Sequence, residues 1–169
     1  MEKDFLEEFT DTTNNLIELL SSLTEKQLNA VPFEGSWTAG QVGHHLSKSF
    51  GIVVILGGKT IPTNRPETEK INSIREVFQN TGIKMESPEF IIPTTKWIEK
   101  EKLIRGLREK ISAVKNFIDN HTDLSLTCLD FELPGAGPLT QKEWILFMAI
   151  HTQRHIHQLQ NIIKIITVK

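Results

Sequence analysis

The chain contains no tyrosine and one cysteine among its 169 residues. With Cys128 alone, no disulfide can close within the chain, and a reducing, cytoplasmic setting is the expectation. Cys128 lies in the alternating stretch LSLTCLDFEL and reads as a small packed hydrophobe rather than a nucleophile. The absence of tyrosine removes the phenol as a candidate proton shuttle. Charge of neither sign is in excess: 19 basic residues against 21 acidic ones leave a formal net charge of -2. That balance gives no reason to expect nucleic acid or an anionic membrane as partner. Long apolar runs are missing too. Stretches such as IVVIL fall far short of the roughly 20 residues a bilayer-spanning helix needs. The opening MEKDFLEEF is acidic where a secretory signal would be basic and then apolar. No internal repeat is present, and the length suits one domain, 1–169, with a core of its own.

What is present is helical periodicity. Phe5, Phe9, Leu16, Leu20 and Leu23 mark a first helix from about Lys3 to Leu23. A second runs from near Thr38 to Leu56, where Gly57-Gly58 supplies a stop. The third, about Thr95 to Asn120, places Trp97, Ile104, Leu107, Ile111, Val114 and Ile118 on one side. The fourth, from Thr140 to about Ile166, carries Trp144, Met148, Ile162 and Ile166. A turn of helix is expected around Glu25 to Leu28, a minor helix around Glu69 to Gln79, and LTCLDFEL is the one plausible extended piece. The fold class is therefore all-α, a four-helix bundle. About forty residues, broken by Pro62, Pro66, Pro88 and Pro93, join helices two and three. A connection of that length can cross the bundle and let the two helices run parallel.

Two helix starts share a pattern that fixes where their side chains point. Thr38 with Gln41, and Thr140 with Glu143, each have the spacing of a capping box, with Trp37/Val42 and Leu139/Trp144 as the flanking apolar pairs. On the fourth helix, with His151 as origin, Trp144 lies about 20° away, His155 about 40° and Gln158 about -20°, whereas His157 is about 120° off. On the second, His45 groups with Val42, Ser49, Ile52 and Leu56, while His44 points about 100° away. Three of the six histidines thus face the bundle axis.

Each has an ordinary reading as a buried imidazole bonded to a carbonyl. Two from one helix at the spacing H-x-x-x-H, joined by a third from another, point instead to a shared metal ion held by His45, His151 and His155. Burial keeps imidazole neutral, the ligating form, and three nitrogen ligands leave a tetrahedral ion one open position. Gln41 and Gln158 lie near the proposed ligands on the wheel, where they could orient a ring or a bound water, or be ordinary interface residues. Lys100 and Glu101 interrupt the third stripe, as a solvated first turn or as a cavity mouth. Trp37 and Trp144 read as staple and core, and no general base or other catalytic residue is identified.

The residues GSWTAGQVGHHLSKS and HTQRHIHQLQ resemble the helix-two and helix-four signatures of the DinB/YfiT-like superfamily of metal-binding four-helix bundles. The family's helix-two histidine follows the tryptophan by eight residues and precedes a leucine, which is His45 here, after Trp37 and before Leu46. The family's His-x3-His pair falls on His151 and His155. The resemblance implies a long crossover between helices two and three, a divalent ion such as zinc or nickel, and a small-molecule substrate. It further implies a metal-dependent hydrolase or a transferase using a low-molecular-weight thiol, and a homodimer. Two other readings stay open: a metal- or ligand-binding bundle without turnover, and an interaction domain whose histidines are merely buried.

Overall fold

A computed structural model gives the structure of residues 2–168, with side chains described from Phe5 onward. The first helix, α1 (Glu2–Ser21), buries Phe9, Leu16 and Leu20 completely, as its periodicity requires. A capping box at Thr24, closed by Gln27, starts the single turn α2 (Glu25–Leu28). The chain then reverses at Phe33–Ser36, where the Ser36 amide bonds the Phe33 carbonyl and Gly35 takes φ 83°. The third position of such a turn demands positive φ, which glycine adopts without strain.

The capping box at Thr38, with Gln41, launches α3 (Ala39–Ser49). The helix expected to continue to Leu56 is instead broken by a 3-10 turn at Phe50–Ile52 before α4 (Val53–Leu56). Two carbonyls upstream accept side-chain donors. Ser49 Oγ donates to the His45 carbonyl at 2.9 Å and Lys110 Nζ to that of Ser47 at 2.6 Å. Back-bonding of this kind bends helices, and Gly51 beyond it adds little helical preference. A two-residue strand, β1 (Thr60–Ile61), pairs antiparallel with β2 (Thr127–Cys128), with Thr60 opposite Cys128. The extended piece at LTCLDFEL is therefore real but short. Between β1 and the next long helix lies the crossover, holding α5 (Ile71–Gln79) and a 3-10 turn at Glu89–Ile91.

The long helix α6 (Lys100–Asp119) begins five residues later than its apolar stripe suggests. The segment ahead of it is bound edge-on to α2: Asn29 Oδ1 accepts the Ile98 amide and Asn29 Nδ2 donates to the Ile98 carbonyl, both at 2.9 Å. Glu25 Oε1 receives the Trp97 indole N–H at 2.8 Å, leaving Trp97 62% exposed instead of in the stripe. The last helix, α7 (Gln141–Val168), opens with the expected box, Thr140 and Glu143 exchanging bonds of 2.9 and 3.0 Å. From Gln141 to Thr152 almost every side chain is buried, so this half of α7 is surrounded on all sides. No helix among the described residues is long and apolar enough to cross a membrane.

Contacts along the rods give their directions. Gly40 meets Ile98, a Cβ on Gly43 would lie 2.9 Å from Leu103, Ser47 meets Lys110, and Gly57 approaches Phe117. The numbers rise together, so α3 and α6 are parallel, as the long crossover allows. The missing Cβ at Gly43, which would also lie 3.1 Å from Leu20, lets α3 pack close to α6 and α1. Gln141 bonds the Leu56 carbonyl while His151 meets His45, so α3 and α7 are antiparallel. The result is an all-α bundle of four long rods running up, down, down and up.

The crossover is docked on the start of α7. Arg65 grips both oxygens of the fully buried Glu143 at 2.7 and 2.8 Å, the Lys70 amide adds a bond at 3.0 Å, and Lys142 pairs with Glu67. Burial alone would push the Glu143 carboxyl up, but Arg65 and the Thr140 and Lys70 amides hold it below the ordinary carboxylate range.

Candidate metal centre

The capping boxes set the rotations of α3 and α7, and the antiparallel crossing brings three rings to one point. His45 Nε2 and His155 Nε2 each lie 3.2 Å from His151 Nε2, and the three ligand-capable nitrogens all fall within 4.8 Å of one another. Two nitrogens at a tetrahedral angle on one ion, each bonded at about 2.0–2.1 Å, stand about 3.3 Å apart. The observed spacing fits such an ion. No carboxylate or thiol joins this cluster among the described residues, so the donor set is three imidazoles.

Hydrogen bonds on the far side of two rings decide which nitrogen faces inward. His45 Nδ1 lies 2.8 Å from the Ile91 carbonyl oxygen, which can only accept, so Nδ1 carries the proton and Nε2 a free lone pair. His155 Nδ1 donates to Gln158 Oε1 at 2.8 Å with the same consequence. Both inward lone pairs therefore point at His151 Nε2, which can donate at most one proton. His151 Nδ1, meanwhile, is buried without a partner. A shared cation resolves that conflict by accepting all three lone pairs.

Burial holds the His45 imidazole below its usual range, against the Ile91 bond, which favours the charged form. Burial, then the neighbouring His155, His45 and Arg154, puts His151 well below that range, and burial brings His155 down to about 4. All three rings are thus neutral at neutral pH. In the metal-free protein this makes stability depend on pH, and the sign follows from the shifts. Histidines in the unfolded chain bind protons below about pH 6.5, before the folded ones do, so protons favour unfolding. The stability is complete above that pH and is lost as pH falls toward about 4, the folded value of His155. Urea unfolding of metal-free protein should show a loss approaching about 1.4 kcal/mol per pH unit from His155 in that window, with His45 and His151 adding to it in the same direction. A flat stability between pH 7 and 5 would contradict the burial.

Aromatic rings wall the cluster. Phe147 stacks on His151 at 5.5 Å between centroids and Phe78, from α5, meets it edge-on at 6.0 Å. Trp37 lies against His45 at 5.0 Å and parallel to His155 at 6.3 Å, so this staple residue is also part of the site, contrary to its reading as staple alone. Trp144 is core, as expected, in contact with Phe131 and Phe147. Gln158 does orient a ring. Gln41 does not: its Oε1 closes the Thr38 box and its Nε2 donates to the Thr94 carbonyl at 3.1 Å.

The remaining candidates lie elsewhere. His44 turns away and accepts the Thr94 amide on Nδ1 at 2.9 Å, and His157 is exposed. Cys128 is fully buried, and burial pushes its thiol up to about 11, which removes it as a nucleophile. Lys100 and Glu101 line a surface groove of about 680 Å³ with Arg105 and Arg108, and none of the three histidines opens into it. The Ile91 carbonyl and the Phe78 ring left no signal in the sequence, since only the path of the crossover brings them to the histidines.

Bundle topology and histidine cluster together define a class, the helical bundles with one long crossover and three histidines meeting between their helices. The chain belongs to the DinB superfamily, whose family model matches residues 8–159. It is 27% identical over 154 residues to "Uncharacterized protein YuaE" of Bacillus subtilis (strain 168), covering 85% of this chain and 87% of that protein. It also superposes, with a TM-score of 0.59 over 96% of this chain and 85% of the other, on a solved structure. That structure is described as "YfiT from Bacillus subtilis is a probable metal-dependent hydrolase with an unusual four-helix bundle topology". The sequence identity there is 18%, and the likeness is one of fold.

Proposed function

We propose that the chain is a metal-dependent enzyme acting on a small molecule, with His45, His151 and His155 holding one divalent ion. The observation that carries this reading is the meeting of three Nε2 atoms whose Nδ1 partners, or lack of one, leave their lone pairs in need of a cation. The solved YfiT structure, described as that of "a probable metal-dependent hydrolase", supports the hydrolytic form of the reading. When bound, the ion would supply a Lewis acid and an activated water at neutral pH, or hold a thiolate. The chain's own residues do the rest. The Ile91 carbonyl and Gln158 fix two imidazoles in the ligating tautomer. Trp37, Phe78 and Phe147 pack against His155 and His151 and hold those rings in place. Hydrolysis of an ester or amide and thiol transfer to an electrophile are the two reactions this site suits, in a cytoplasmic protein able to pair as a homodimer.

The test is a panel of activated esters and amides, and separately of low-molecular-weight thiols with electrophiles, on protein loaded with zinc or nickel. Turnover in one arm, lost in His45→Ala with helical content unchanged, is the expected result. Activity that survives simultaneous alanine at all three histidines would dismiss the reading. Gln158→Ala should weaken metal binding about 10- to 100-fold, as loss of an orienting partner does, measured by competition with a chromophoric chelator.

A further inference from the structure

The crossover touches α3 at four consecutive points of one face. Gln41 Nε2 donates to the Thr94 carbonyl, the Thr94 amide to His44 Nδ1, His45 Nδ1 to the Ile91 carbonyl, and Lys48 Nζ to the Ile92 carbonyl at 2.7 Å. Positions 41, 44, 45 and 48 are neighbours on a helix surface. Thr94 lies beside positions 41 and 44, and Ile91 and Ile92 beside 45 and 48, so the strap runs broadly against the helix. Its shape follows from local chemistry. Pro88 opens the 3-10 turn at Glu89–Ile91, and Ile92, preceding the buried Pro93, is held extended at φ -64° and ψ 131°. An extended strand with no partner strand leaves its carbonyls to side chains, and α3 supplies the donors.

We propose that the segment Ile91–Thr94 is a working part of the histidine cluster, fixing the inward nitrogen of His45 through the Ile91 carbonyl, with Lys48 as the positioning residue that holds the segment in register. Lys48 hydrogen-bonds none of the three histidines and is itself exposed; its charge disfavours a protonated His45 from a distance, but its one hydrogen bond toward the cluster runs through the strap. Without the Ile91 acceptor, His45 is free to place its proton on Nε2, the tautomer that cannot ligate. The tautomer is a property of the metal-free protein. The effect on metal affinity alone rests on the proposed metal-dependent reading.

The experiment compares the full chain with Lys48→Met, which keeps the stem and removes the donor, and Lys48→Arg, which restores a donor. Ring-nitrogen chemical shifts of His45 in 15N-labelled, metal-free protein should show one tautomer, protonated at Nδ1, in the parent and in Lys48→Arg. Lys48→Met should show a mixture. Cobalt affinity, measured by chelator competition, should fall about two- to tenfold in Lys48→Met, the effect of one ordinary hydrogen bond, and recover in Lys48→Arg. Unchanged His45 shifts in Lys48→Met, with helical content intact, overturn the proposal. If no variant binds cobalt while the shifts still respond to Lys48, the metal reading fails and the positioning role stands.

Discussion

Arg65→Ala should lower the stability of this protein by about 3–5 kcal/mol, the cost of stranding a buried charge. Glu143 is completely buried, and two of the four hydrogen bonds to its carboxylate come from Arg65; the Lys70 and Thr140 amides that remain are dipoles, not charges. A loss of that size is a large part of a typical domain's 5–15 kcal/mol, so the urea midpoint should drop sharply. Adding Glu143→Gln to Arg65→Ala should recover part of it, because the amide oxygen still accepts a backbone N–H and no charge is left behind. A cost below about 1 kcal/mol for Arg65→Ala would show the pair behaving as an exposed one.

The second large effect concerns the cluster itself. Wild-type protein should gain about 2.7 kcal/mol when divalent metal is present at about 100 times its dissociation constant, read as a rise in the thermal midpoint. His151→Ala should abolish that rise. Its nitrogen lies 3.2 Å from both other ligand-capable nitrogens, and the remaining pair offers one ion only two donors. Loss of affinity should exceed the about 100-fold that removal of an orienting partner can cost. Equal midpoint shifts in His151→Ala and wild type would mean that the metal sits elsewhere.

The legible parts of this structure were those written in short-range chemistry. Capping boxes at Thr38 and Thr140 fixed the rotation of two helices, and rotation alone selected His45, His151 and His155 over His44 and His157. The stripe on α1 was equally plain, since Phe9, Leu16 and Leu20 all pack inward. Less legible was anything decided by a distant partner. Trp97 fits the period of α6, yet Asn29 and Glu25 hold its segment outside the helix. The break after Ser49 involves Lys110, which bonds the Ser47 carbonyl from sixty-three residues on. Gln41, which the wheel allows either to serve the site or to be an ordinary interface residue, is held by the Thr38 box and by a carbonyl of the crossover. Glu143 announced its cap, at three residues' distance, but not Arg65, seventy-eight residues back. Outside its one short helix the proline-broken crossover has no period from which to read its path, which is why the Ile91 carbonyl, and the approach of Phe78 to His151, are decided by the tertiary fold.

The most direct measurement is X-ray diffraction at a metal absorption edge on crystals of protein purified without a histidine tag. The account predicts one anomalous peak about 2.0–2.1 Å from the Nε2 atoms of His45, His151 and His155, with Ile91 and Gln158 on the Nδ1 atoms of the first and last. Crystals grown with zinc or nickel that give no peak there, and imidazoles bonded only to one another, would contradict it.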